Sequence, residues 1–205
     1  MMQYLCNLKP SLSVAILIAL TISACDESTA TNAIKYPIIN WPMLLPPKWD
    51  ENALLKNIDL SKMQDNDPRA FELLKKVRES WNNAPVVERL DGKAITITGY
   101  PVPLDGNAHF IKELLLVPYF GACIHTPPPP SNQIIHVNIK NGLPLPYDDL
   151  VTFTNSYGGI TIKGILKVAH SSSTLGEAGY QMEAKIIAPL EDQLTQNNEQ
   201  HIVNR

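Results

Sequence analysis

Lys93-Ala94-Ile95-Thr96-Ile97-Thr98-Gly99-Tyr100 is the stretch on which the fold turns. Apolar and polar residues alternate around Ile95 and Ile97, the period of two that a half-buried strand requires. Just upstream, Asp91-Gly92 supplies a turn, and Val86 to Leu90 reads as extended chain. Downstream, Phe110 to Val117 is a strand around Leu114-Leu115-Leu116, followed by Gln133 to Lys140, Ile160 to Ala169 and Tyr180 to Ile187. Before Pro85 the period is different. Asp67 can cap a helix and Pro68 fits its first position. Phe71, Leu74, Val77 or Arg78, and Trp81 then fall near one face, with charges on the other. The helix stops before Asn82-Asn83-Ala84-Pro85. Asp50 to Ile58 reads as a short helix, and Tyr36 to Lys48, too apolar for a free linker, as an irregular segment packed across the domain. The expected fold is mainly β with N-terminal helices: a small, partly open five- or six-stranded β-barrel of oligonucleotide-binding-like topology. Gly99, Gly121 and Gly164 are expected at bends or close approaches.

The N-terminus reads as an export signal rather than structure. Lys9 precedes an apolar run, Leu12 to Ile22, that is too short for a membrane span. Ile22-Ser23-Ala24-Cys25 has the small residues and the thiol of a lipoprotein cleavage site. Residues 1–24 are thus expected to be a signal peptide, with Cys25 the lipid attachment point. More than one acyl chain anchors stably where a single chain does not. Asp26 after the cysteine favours retention at the inner membrane over the outer, on the periplasmic side. Residues 25–35 read as a tether, 36–190 as a single domain, and 191–205 as a polar tail.

Composition narrows the function. From Cys25 onward the chain has 181 residues, enough for one domain with a sizeable core. Twenty acidic residues exceed the basic ones and no basic block occurs, which argues against a nucleic-acid partner. No glycine-rich phosphate loop and no recognisable protease or transferase motif is present.

Loss of the signal peptide leaves one thiol, Cys123, two residues from His125 and just before Pro127 to Pro130. Thiolate and imidazole at that spacing suit a transition metal, zinc first and copper or iron after it. His136 is the best third ligand, sharing a strand face with Ile134 and Asn138, and His109 is a weaker fourth. Glu113 and Asp105 are expected either to accept from an imidazole N–H and fix its tautomer or to be oxygen ligands themselves, and Asn132 and Gln133 to pin the end of the proline loop beside the site. Pro127 to Pro130 reads as a stiff polyproline crossover ahead of a lid. The competing reading is that Cys123 is a small buried apolar group. As a nucleophile, Cys123 would need a base such as His136, oriented by a third group.

Ile97-Thr98-Gly99-Tyr100-Pro101-Val102-Pro103-Leu104 and Glu113 to His125, with Pro118-Tyr119-Phe120-Gly121-Ala122-Cys123-Ile124-His125 running into the prolines, resemble the bacterial domain-of-unknown-function 3299 family. Asn132 to Val137, Gly164 to Val168 and Gly179-Tyr180 also fit, so the resemblance spans roughly Trp41 to Ile187. It implies an exported protein or lipoprotein, with some members found beside transporter components implicated in metal handling. The leading expectation is therefore a periplasmic lipoprotein that binds a transition metal around Cys123 and His125, with an inner-membrane transporter component as the partner the resemblance implies. The alternatives are a structural or protein-interaction module of the envelope without metal, and an enzyme with Cys123 as nucleophile.

Overall fold

Strand β1, Ala94–Pro103, is the hub of the domain, because its two halves use different neighbours. Ala94 to Gly99 pairs antiparallel with β4, Ile160–Ser172, and Tyr100 to Pro103 pairs antiparallel with β2, Glu113–Val117. The computed structural model describes residues 34–56, 58–59, 63, 67–105, 109–122, 128–140 and 144–190. All of them belong to one unit, Ile34–Arg205. The expected signal peptide, Cys25, most of the tether and the 191–205 tail lie outside the described residues.

From β2 the sheet continues antiparallel into β3, Ile135–Asn138, and β3 runs parallel to β5, Glu177–Pro189. A long antiparallel hairpin joins β4 to β5, and with the β1–β4 pair the five strands close into a barrel in the order β1-β2-β3-β5-β4. Closure leaves little free edge for other chains to pair with, apart from the first half of β1 on the side opposite β4. Ile95, Ile97, Leu114, Leu116, Ile135, Val137, Ile160, Ile162, Leu166, Tyr180 and Met182 fill the interior. Leu115, Val117, Val102, Ala122, Ile134 and Ala178 form a second, smaller cluster, to which β2 contributes the residues alternating with Leu114 and Leu116.

The expected fold class is corrected by these elements. The chain is mixed α/β rather than mainly β with N-terminal helices, because a second helix interrupts the strand series. The sheet is mixed, has five strands, and is closed rather than partly open. The first helix, α1, spans Pro68–Asn82, and the second, α2, spans Tyr147–Tyr157 between β3 and β4. Asp148 and Asp149 in the first turn of α2 complement its dipole. Gly158 ends it in the left-handed region, at φ 73°. Val86 to Leu90 is not extended throughout: Glu88–Leu90 is a 3-10 turn. Glu51 to Lys56 forms successive turns, and no helix occurs among the described residues of the Asp50 to Ile58 stretch.

Helix α1 starts as the sequence predicts, with Asp67 accepting the backbone N–H of Arg69 at 2.9 Å. Its orientation differs. Ala70, Leu73, Val77 and Trp81 face the domain, and Trp81 donates its indole N–H to the Glu51 carbonyl at 2.9 Å. Phe71 and Leu74 are left 61% and 64% exposed.

The segment Tyr36 to Leu45 is a strap across β1. Its backbone pairs with Thr96, whose N–H bonds the Pro37 carbonyl and whose carbonyl takes the Ile39 N–H, at 2.8 and 2.9 Å. This occupies the edge of β1 that β2 leaves open. Trp41 adds an indole bond to the Thr98 carbonyl, and Leu44 is fully buried. The strap is anchored at its far end by Tyr180, whose hydroxyl donates to the Leu44 carbonyl (2.8 Å) and accepts the Val87 N–H (2.7 Å).

Candidate functional site

Polar side chains gather on the outer face of β2, β3 and β5. Ile135 and Val137 point into the barrel, so His136 and Asn138 between them point out. Strand register sets their neighbours. Lys167, Gln181, His136 and Leu115 form one row across β4, β5, β3 and β2. Ile165, Glu183, Asn138 and Glu113 form the next.

His136 is hydrogen-bonded at one ring nitrogen, and the other is buried without a hydrogen-bond partner beside Glu113. Nδ1 lies 2.5 Å from the Ser171 hydroxyl, and Nε2 lies 3.4 Å from a Glu113 carboxylate oxygen. Ser171 follows a register irregularity between Val168 and Ser171, which re-aims the strand tip toward β3. The contact ties β3 to the β4–β5 hairpin, and sequence analysis missed Ser171 as a partner. Nearby, His170 Nε2 faces Glu177 at 3.3 Å, and Glu177 accepts the Ser172 hydroxyl.

Beside His136 the second row opens into a groove of about 420 Å³ lined by Lys112, Glu113, Asn138, Lys140, Lys167, Gln181 and Glu183, with Ile139 and Met182. Glu183 is flanked by Lys140 at 2.8 Å and by Lys185. The hydrogen bonds from Lys140 and then Lys185 hold its carboxyl down, from 4.5 to about 2. A depressed native pKa contributes stability above the unfolded value, and that contribution is lost as pH falls from about 4.5 toward 2. In a carboxyl-carbon NMR titration, Glu183 is expected to titrate near its lower limit. Lys140→Met combined with Lys185→Met should return it toward 4.5. An unchanged midpoint in that variant would show that the lysines are not its cause.

The other residues singled out in the sequence are scattered. Asn132 is fully buried and donates its amide to the Pro85 carbonyl at 2.9 Å. Gln133 donates to the Trp41 and Asn132 carbonyls. Pro129 and Pro130 are buried beside them, so this part of the proline run is scaffold. Asp105 accepts the Lys112 backbone N–H at 3.1 Å, fixing the start of β2. His109 is exposed, and its carbonyl takes the Tyr147 N–H. Cys123 and His125 lie outside the described residues.

A family described as protein of unknown function (DUF3299) matches residues 41–189. The chain belongs to the DUF3299 family. A crystal structure of a DUF3299 family protein from Pseudomonas aeruginosa PAO1 is similar to it, at 32% identity and a TM-score of 0.56, over 76% of this chain and 96% of that one. No curated protein matches.

In this DUF3299 domain the metal reading is overturned. Among the described residues no group of three or more His, Cys, Asp and Glu side chains comes together to hold an ion. His136, the expected third ligand, already has a hydroxyl on Nδ1 and a carboxylate facing Nε2. Asn132 and Gln133 are engaged with backbone rather than orienting a metal ligand. Zinc, copper and iron are therefore not carried further. Among the described residues no helix is long and apolar enough to cross a membrane.

Proposed function

We propose that this protein is a lipid-anchored protein-interaction module of the cell envelope, working without a metal. The observation that carries the reading is the outward face of α1. Phe71 and Leu74 are adjacent on one helical face and mostly exposed, although the barrel core is complete without them. Adjacent exposed apolar side chains on a folded domain mark a contact surface. The export reading of residues 1–24, with Cys25 as lipid site, supports placement at the periplasmic side of a membrane. Asp26 after the cysteine favours the inner membrane, and the family resemblance favours a transporter component there as the partner.

A photoreactive amino acid at position 74 of the full chain, irradiated in living cells, tests this. The expected result is an adduct with an inner-membrane transporter component, unchanged by chelator, with none formed from position 79 on the charged face. The Phe71→Ser, Leu74→Ser double variant should lose the partner while its stability stays within roughly 1 kcal/mol, as for surface positions. Absence of any adduct at 74, or equal adducts from 74 and 79, would refute the reading.

A further inference from the structure

We infer that the groove over β2, β3 and β5 is a second binding site, independent of the α1 face, and that its ligand is an extended acidic peptide segment. The argument is one of charge left over. Lys112, Lys140 and Lys167 line the groove and Lys185 stands beside it, against the carboxylates of Glu113 and Glu183. Glu183 is occupied by Lys140 and Lys185, and Glu113 is turned to His136. Lys112 and Lys167 therefore have no acidic partner among the described residues. Their roots are fixed: the Lys112 N–H is held by Asp105 and its carbonyl by the Ile139 N–H at 2.7 Å, while Lys167 sits opposite Gln181 in the hairpin. Two ammonium groups thus stand over the groove, one from Lys112 just before β2 and one from Lys167 within β4.

The floor between them discriminates a peptide from a simple ion. Asn138 and Gln181 are neighbours of Glu183 and His136 in the β3–β5 ladder; Gln181 gives one N–H to the His170 carbonyl at 3.3 Å and keeps its second N–H and its carbonyl, so each amide offers a donor and an acceptor. Side-chain amides match the alternating N–H and C=O of an extended backbone. A segment with carboxylates on Lys112 and Lys167 and its backbone on the amides pairs the two lysines that have no acidic partner among the described residues.

Fluorescence anisotropy of a labelled decaglutamate peptide with the purified full chain in detergent micelles tests this. Saturable binding is expected, weakened about tenfold by Lys112→Glu with Lys167→Glu, a change of about 1.4 kcal/mol. Lys75→Glu with Lys76→Glu on exposed α1 has the same charge change and should leave binding as it was. Equal affinity in the groove variant, equal loss in the α1 variant, or no saturation would each overturn the site. Binding to phosphatidylglycerol vesicles that depends on Lys112 and Lys167, without binding of the peptide, would overturn the peptide as ligand.

Discussion

Tyr180→Phe is expected to cost about 2–4 kcal/mol of folding stability, although it removes a single oxygen atom. Tyr180 is fully buried, and its hydroxyl is the common partner of the Leu44 carbonyl and the Val87 N–H. Phenylalanine keeps the ring and its packing but leaves both backbone groups unpaired inside the domain. Leaving a buried donor or acceptor unsatisfied costs about 1–3 kcal/mol each, more than the net worth of an average hydrogen bond. The loss should be local first. The Ile39 and Leu45 amides of the strap should exchange with solvent faster, while those of the barrel interior follow the global change. Burial pushes the Tyr180 phenol above its ordinary value, against the Val87 N–H bond, which favours ionisation. The stability tied to the neutral phenol is complete below pH about 10 and is lost as pH rises through the raised native value. Parent and variant should therefore converge in strongly alkaline buffer. A urea-unfolding difference below about 0.5 kcal/mol at neutral pH would mean that water replaces the hydroxyl at little cost and that the strap is not fastened there.

Local signals in the sequence place the barrel strands well. Ile95 and Ile97 alternate with threonines and are buried, and the runs around Leu114, Ile135, Ile162 and Tyr180 all become strands. Asp67-Pro68 marks the start of α1 because capping is a matter of three adjacent residues. What escaped the reading depends on distant contacts. Ala70, Leu73, Val77 and Trp81 satisfy helical spacing as well as Phe71, Leu74 and Arg78 do. The choice between the two faces rests on a bond from Trp81 to Glu51, thirty residues away. Helix α2 is hard to see because Thr152 and Thr154 are poor helix formers, and their hydroxyls bond back to the Asp148 and Leu150 carbonyls. Closure of the sheet depends on the parallel pairing of Ile135 with Tyr180, which no local pattern encodes.

The candidate site divides in the same way. That His136 and Asn138 share an outward face follows from strand alternation alone. That Ser171 meets His136 depends on an irregular register in β4, and that Lys167 stands in line with Gln181 and His136 depends on three strands being in register. Asn132 and Gln133 look like site residues in the sequence because polar amides beside a cysteine–histidine loop suit ligand orientation. Burial gives them another role, since an amide enclosed beside the unpaired backbone of Pro85 and Trp41 is most stable when it satisfies that backbone.

Gly164→Ala is expected to destabilise the protein by about 1–3 kcal/mol, through crowding rather than backbone strain. Gly164 lies inside β4, opposite Ile95 on one side and Ala184 on the other, at a register irregularity of the β4–β5 hairpin. A Cβ there would stand 2.5 Å from the Glu183 carbonyl oxygen and 2.8 Å from Met182 Cγ. The φ angle of Gly164 is outside the left-handed region, so alanine could adopt the backbone if it had the space. Met182 is flexible but lies in the full barrel interior, and the Glu183 carbonyl is fixed by the ladder. The strands must therefore part at the irregularity, which also moves the Glu183 and Gln181 side of the groove. A double-mutant cycle with Met182→Ala separates the two obstacles. Additive costs would assign the clash to the carbonyl, and a double variant less damaged than the sum would assign it to the thioether side chain. The same cycle read by peptide anisotropy should show Gly164→Ala weakening decaglutamate binding. A stability change under about 0.5 kcal/mol in urea for Gly164→Ala alone would show that β4 and β5 yield at this point and that the close approach is not needed to shape the groove.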